Sequence, residues 1–279
     1  KKDPVLAGTV LENMLNAHIE TYHLLKAIPG SEKVKIGLVK NIFQFDPLRR
    51  WHLLDWAFSK ILNDVYTNAP LEFLKTGKSS FYMPGMVDNE MLNPEAPGTL
   101  DFIGLNYYSR MHVNGRLNPE EPFVFDTRQQ DIMTDMGYPL YAEGFYRALK
   151  TISEIGVPIY VTENGLADDK DTIRPLFIER YLYALNQALK EKIDIRGYFY
   201  WSLMDNFEWA EGYSMKFGLY EVNLETQVRK LRKGSQPFIN MVTKRGADER
   251  GYLVQIGETA ADFTMDYTCL LYTSPSPRD

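Results

Sequence analysis

Four short runs that are apolar almost throughout, 34–39, 100–105, 157–162 and 197–202, restrict the folds open to this chain more than any other feature. A strand apolar on both sides needs both faces covered, which is the pattern of a parallel sheet with helices packed on it. Helical spacing fills the intervals. Leu11, Met14, Leu15, Ile19, Tyr22 and Leu25 predict a helix over 10–28, with Thr9 as a candidate cap and Pro29-Gly30 as its stop. Leu54, Phe58, Ile61 and Val65 predict a second over 51–66, and helices are expected over 141–155, stopped by Gly156, and over 176–189.

Open doubly wound sheets and closed (β/α)8 barrels share this alternation, and in barrels the polar residues at the strands' C-terminal ends carry the chemistry. A whole barrel needs eight strands in about 250 residues. Only four are legible, so the expectation is half a barrel with two open sheet edges. The Gly-, Pro- and Asn-rich stretch 75–100 and the polar stretch 113–139 read as long connections. From 246 onward no period is visible and the chain closes on Ser274-Pro275-Ser276-Pro277-Arg278-Asp279. The expected division is therefore a barrel portion over 1–245 and a tail over 246–279 that is disordered or a cloning artefact.

Composition removes several classes of function. Lys and Arg total 31 against 37 Asp and Glu, a net charge of -6 that gives no reason to expect nucleic-acid or membrane binding and suits a neutral substrate. Cys269 is the single cysteine, which excludes an internal disulfide framework and paired-cysteine zinc sites. His18, His23, His52 and His112 lack metal-ligand spacing, so no metal or cofactor is expected. The chain opens Lys1-Lys2-Asp3-Pro4 without a signal pattern. A truncated start and a cytoplasmic location are expected, although a leader lost with the start would not be visible.

The sharpest local feature is Ile159-Tyr160-Val161-Thr162-Glu163-Asn164-Gly165, an apolar strand that ends on a carboxylate followed by a turn residue. A glutamate held rigidly there can attack an anomeric carbon, provided a second carboxyl about 5–5.5 Å away protonates the leaving oxygen. A helix cap or a surface acid is the plainer reading of Glu163 taken alone.

Further motifs decide between them. The segment resembles the Ile/Val-Thr-Glu-Asn-Gly nucleophile motif of glycoside hydrolase family 1. Asp101-Phe102-Ile103-Gly104-Leu105-Asn106-Tyr107-Tyr108 resembles that family's strand-six motif, and Trp201-Ser202-Leu203-Met204-Asp205-Asn206-Phe207-Glu208-Trp209, followed by Phe217-Gly218-Leu219, its strand-eight region. The resemblance covers roughly residues 8 to 245, with the motifs in family order. It implies a (β/α)8 TIM barrel of which about the last four strands are present, and a retaining β-glycosidase, a β-glucosidase first, acting on terminal non-reducing β-D-glycosides.

The resemblance also assigns roles. It makes Glu163 the nucleophile and Tyr108 the hydrogen-bond donor that orients it, with Asn106 on the same floor. Trp201 resembles the platform beneath the sugar, and Glu208 and Trp209 the pair that reads the glycone's hydroxyls. A carboxylate at Glu208 would repel a 6-phosphate, which argues against the phospho-glycosidase branch. Asp205 and Glu211 are expected to support the strand-eight loop.

The family's acid/base glutamate lies in Thr-Phe-Asn-Glu-Pro, and no Asn-Glu-Pro occurs here. The chain is therefore expected to lack the acid/base and to need the N-terminal half of the barrel as its partner. By itself it would be inactive or severely impaired. A non-catalytic relative that binds glycans or proteins is the alternative, and a transferase or thioglucoside-cleaving variant a third possibility.

Overall fold

The computed structural model describes residues 3–246. Helix α1 (Pro4–Lys26) begins ahead of the expected Thr9 cap, because Asp3 caps it by accepting from the Leu6 amide at 3.1 Å. Thr9 lies inside the helix and donates its hydroxyl to the Val5 carbonyl. Strand β1 (Gly37–Pro47) leads to α2 (Leu53–Asn63), a π-helical turn at Asp64–Asn68 and α3 (Ala69–Thr76).

Where only a connection is expected over 75–100, β2 (Lys78–Met83) and β3 (Val87–Leu92) form an antiparallel hairpin. Its cause is local. Met83-Pro84-Gly85-Met86 closes a tight turn through Met86 N to the Met83 carbonyl at 3.0 Å, with Gly85 at φ +71°. Phe81, Met83 and Val87 then bury one face of the hairpin against Val65.

β4 (Phe102–Gly115) outruns its apolar stretch and pairs antiparallel with β5 (Phe123–Asp126), so the expected connection over 113–139 also holds structure. Then come α4 (Ala142–Ser153), β6 (Ile159–Asn164), α5 (Arg174–Lys190), β7 (Ile195–Tyr200), the short hairpin β8 (Tyr220–Val222) and β9 (Arg229–Leu231), and α6 (Gln236–Gly246). No helix is expected at α6, yet Phe238 packs its ring 5.6 Å from that of Tyr200. Apart from Gly246, the expected tail lies outside the described residues.

The main sheet runs β1-β4-β6-β7 with every neighbouring pair parallel. Its helix-facing side is the core: Ile103, Leu105 and Tyr107 of β4 and Ile159 and Val161 of β6 join Phe145, Leu149 and Ile152 of α4 and Phe177, Tyr181 and Leu185 of α5. The spacing of those helix residues places them on one stripe, and each such side chain contributes about 1.5–3 kcal/mol by burial. The sheet is open. Among the described residues no strand pairs with the outer edge of β1 or β7, and Val39 and Phe199 are 50% and 59% exposed. No described helix is long and apolar enough to cross a membrane.

At the start of α2, fully buried Asp55 accepts from Arg49 N, Nε and Nη2 at 2.9, 3.0 and 2.7 Å and from Gly115 N at 2.8 Å, with His52 Nδ1 2.7 Å away. Burial raises its carboxyl pKa, but the hydrogen bonds from Arg49, Gly115 and His52 outweigh burial and hold it well below the usual carboxylate range. With the folded pKa below the unfolded one, the stabilisation is present above about pH 4 and is lost as pH falls through the folded value. Urea unfolding should therefore find Asp55→Asn less stable than the parent at about pH 7, with the gap narrowing at about pH 3. A gap of constant size would remove Asp55 from this role.

Candidate active site

Parity along β4 separates core from site. Ile103, Leu105 and Tyr107 are buried against the helices, so Gly104, Asn106 and Tyr108 face the other way. Tyr107 is core, with its ring 5.5 Å from Phe145 and 6.1 Å from Tyr181. At the C-terminal end of β6, Glu163 lies in register with Asn106, which in turn pairs with Asn41 of β1. The Tyr108 hydroxyl donates to Glu163 Oε2 at 2.5 Å, a length typical of a strong bond to a carboxylate. Burial, then this hydrogen bond and the charge of Glu163, push the Tyr108 phenol far above its ordinary pKa, so it remains a donor.

The neighbouring residues fix this strand end. Thr162 donates its hydroxyl to Asn106 Oδ1 at 2.6 Å. Buried Asn164 donates to the Tyr107 carbonyl at 2.7 Å and accepts from the Tyr198 hydroxyl at 2.8 Å. Trp201, immediately after β7, donates its amide to the Asn164 carbonyl at 3.0 Å, and the Trp201–Ser202 peptide is cis.

Half-buried Glu208 completes the group. Burial raises its carboxyl pKa, a hydrogen bond from the Trp201 side chain lowers it, and the charges of Glu163 and Glu211 raise it again, so the net shift is upward. Asp205 anchors the loop below it, accepting from Arg232 Nη2 at 2.7 Å and Gly218 N at 2.9 Å. The structure thus gathers Asn106, Tyr108, Glu163, Trp201 and Glu208 at one end of the sheet. Trp209 stands apart, 82% exposed at φ +41° in a short 3-10 turn.

Three further neighbours border the site without a role assigned to them from the sequence. Tyr138, from the stretch read as a connection, sets its ring 6.4 Å from that of Tyr108, and burial and the charge of Glu208 raise its phenol pKa. Phe217 lies edge-on to Tyr108 at 6.1 Å. Asn41 stands level with Asn106, its Oδ1 buried and, among the described residues, without a hydrogen-bond partner. Phe217 belongs to the Phe217-Gly218-Leu219 segment matched above, whereas Tyr138 and Asn41 belong to no pattern that periodicity or local spacing would mark.

The sequence profile described as glycosyl hydrolase family 1 matches residues 2–247. The β-galactosidase of Pyrococcus woesei is 31% identical over 274 residues, covering 89% of this chain and 53% of that protein. β-Glucosidase A of Thermotoga maritima is 30% identical, covering 89% and 59%. Among solved structures, a β-glycosidase from Pyrococcus horikoshii superposes with TM-score 0.72 at 33% identity over 92% of this chain and 54% of its own, and the family 1 β-glucosidase from Thermotoga maritima with 0.73 at 28% over 86% and 57%. The chain spans little more than half the length of these relatives, and its open four-stranded parallel sheet is an incomplete (β/α)8 barrel. With the profile matched along the whole of its described length and the motif residues brought to the strand ends, the chain belongs to glycosyl hydrolase family 1.

Proposed function

We propose that the whole protein is a retaining β-glycosidase acting on terminal non-reducing β-D-glycosides, β-glucosides first, and that this chain supplies its nucleophile half. The observation that carries this reading is the Tyr108–Glu163 hydrogen bond beside the Trp201–Glu208 pair. Glu163 attacks the anomeric carbon and the bond to the leaving oxygen breaks, giving a glycosyl ester. Water then attacks the same carbon from the face the leaving group vacated, and the two inversions amount to retention.

Tyr108 holds the carboxylate at the angle of attack. Trp201 offers a flat apolar face to the sugar, Glu208 accepts from its hydroxyls, Asn106 lines the floor, and Trp209 joins Glu208 once a glycone is present. The leaving oxygen needs a proton from a glutamate in Asn-Glu-Pro, and no such motif lies within the 279 residues. The residues that would donate it belong to the preceding half of the barrel.

The leaving group separates these two halves of the chemistry. Dinitrophenolate departs without protonation, so 2,4-dinitrophenyl 2-deoxy-2-fluoro-β-D-glucoside should label this chain once, at Glu163, read by intact mass and peptide mapping. Cellobiose, whose leaving alkoxide must be protonated, should turn over about 10²–10⁴-fold more slowly than in a protein that holds the general acid. Robust cellobiose hydrolysis by this chain would place an acid within it. No label, or a label on another carboxylate, would favour a non-catalytic relative that binds glycans or proteins.

A further inference from the structure

Arg174, the first residue of α5, is fully buried and has no part in the chemistry above. Its Nη1 donates to the Tyr200 hydroxyl at 2.9 Å and the Phe217 carbonyl at 3.1 Å, its Nη2 to the carbonyls of Asp168 at 2.9 Å and Lys216 at 3.0 Å, and its Nε to Asp171 Oδ1 at 2.8 Å. These partners come from three places. Asp168 and Asp171 lie in the loop that follows Glu163-Asn164-Gly165, Tyr200 directly precedes Trp201, and Lys216 and Phe217 end the loop that carries Glu208.

Capping of α5 does not explain this arrangement, because Asp168 Oδ2 already accepts the amides of Ile173 and Arg174 at 2.8 and 2.9 Å. A buried guanidinium is costly unless its donors are satisfied, and here they are met largely by main-chain carbonyls of two separate loops. A planar fork with fixed donor directions holds those loops at a set spacing, which a single ammonium cannot do. Phe217 transmits the constraint, since its ring packs on Tyr108 and its carbonyl accepts from Ser202 N at 3.3 Å.

We propose that Arg174 is a positioning residue that sets the spacing between Glu163 and the Trp201–Glu208 pair, and with it the selectivity of the site for the sugar's hydroxyls. The inference rests on the glycosidase reading. The hydroxyl on C4 lies across the pyranose ring from the anomeric carbon, so its recognition by Glu208 depends directly on that spacing.

The test reads selectivity rather than the amount of folded protein. Labelling by the dinitrophenyl fluoroglucoside and by its 4-deoxy counterpart is followed by mass spectrometry for the parent chain, Arg174→Met and Arg174→Lys, at a temperature where circular dichroism shows each folded. The parent should favour the sugar with the 4-hydroxyl by about a hundredfold, as a hydrogen bond to a charged group allows. Both variants should lose roughly tenfold or more of that preference. A smaller folded fraction slows both sugars equally, so an unchanged ratio in the variants overturns the inference. Tyr200→Phe, which removes one acceptor, should lower the ratio less, and it decides the matter if neither Arg174 variant folds. If the parent is labelled by neither sugar, the glycosidase reading fails and the inference falls with it.

Discussion

Glu163→Ala should abolish covalent labelling of this chain, and azide should restore consumption of 2,4-dinitrophenyl β-glucoside with an α-glucosyl azide as product. Removing a nucleophile costs a rate factor on the order of 10⁴–10⁶. Nothing nearby replaces it: Tyr108, which donates to Glu163 Oε2, has its phenol pKa pushed far up, and Glu208 is engaged by the Trp201 side chain. The truncation opens space at the end of β6 on the face from which Glu163 attacks, and a small anion entering there displaces the dinitrophenolate with a single inversion. The anomer is the informative readout. A β-azide would mean that the anion attacked from the opposite face, and undiminished labelling would remove Glu163 from its role altogether.

The parts of this site that were legible in the sequence are those whose constraint is local. Ile159, Val161, Ile103 and Leu105 are apolar because helices cover them, and the polarity change at Asn106 and Glu163 marks where the covered strand ends and the floor begins. β1 shows the limit of that logic. Its apolar run stops at Val39, yet the strand continues to Pro47 because β4 pairs with it as far as Val113. Lys40 is accommodated within it by laying its ammonium 4.0 Å over the Tyr66 ring, and burial lowers its pKa to about 8. Asn41 was hidden for the same reason, being a site residue inside a strand that the hydrophobic pattern had already ended. Tyr138 was hidden by distance, since its place beside Tyr108 depends on the Thr134 amide and hydroxyl holding its carbonyl at 3.0 and 2.9 Å.

Trp209 shows the reverse case. The motif sets it beside Glu208, but a 3-10 turn at positive φ directs its indole into solvent. For a residue other than glycine a left-handed backbone costs about 1–2 kcal/mol, so the turn is maintained by its surroundings. Glu208 N donates to the Gly212 carbonyl at 2.6 Å and closes it. Glu208 is thereby fixed from its own backbone as well as from Trp201, whereas the side chain of the tryptophan beside it stands 82% exposed.

Gly165→Ala should be among the most damaging single-methyl additions in the chain. The reason is space rather than backbone angle. A Cβ at Gly165 would fall 1.7 Å from the Trp201 carbonyl oxygen and 2.7 Å from its carbonyl carbon, so main chain meets main chain. Neither side yields easily. Trp201 N is bonded to the Asn164 carbonyl, Ser202 N to the Phe217 carbonyl, and Asn164 is pinned by Tyr107 and Tyr198. Gly197 makes the control, because its added Cβ would meet a side-chain atom, Tyr160 Cδ1, at 2.7 Å, and a ring can swing aside. Overpacking against fixed backbone costs about 3 kcal/mol, a fall in melting temperature of roughly 6–12 °C for a domain of this size, with Gly197→Ala losing less. The separation of Glu163 from Trp201 that relieves the clash should also slow labelling beyond what the unfolded fraction explains. A melting temperature for Gly165→Ala no lower than that of Gly197→Ala would show that the two strand ends can part without cost, and the tight approach of β6 to the Trp201 loop would cease to be what holds nucleophile and platform together.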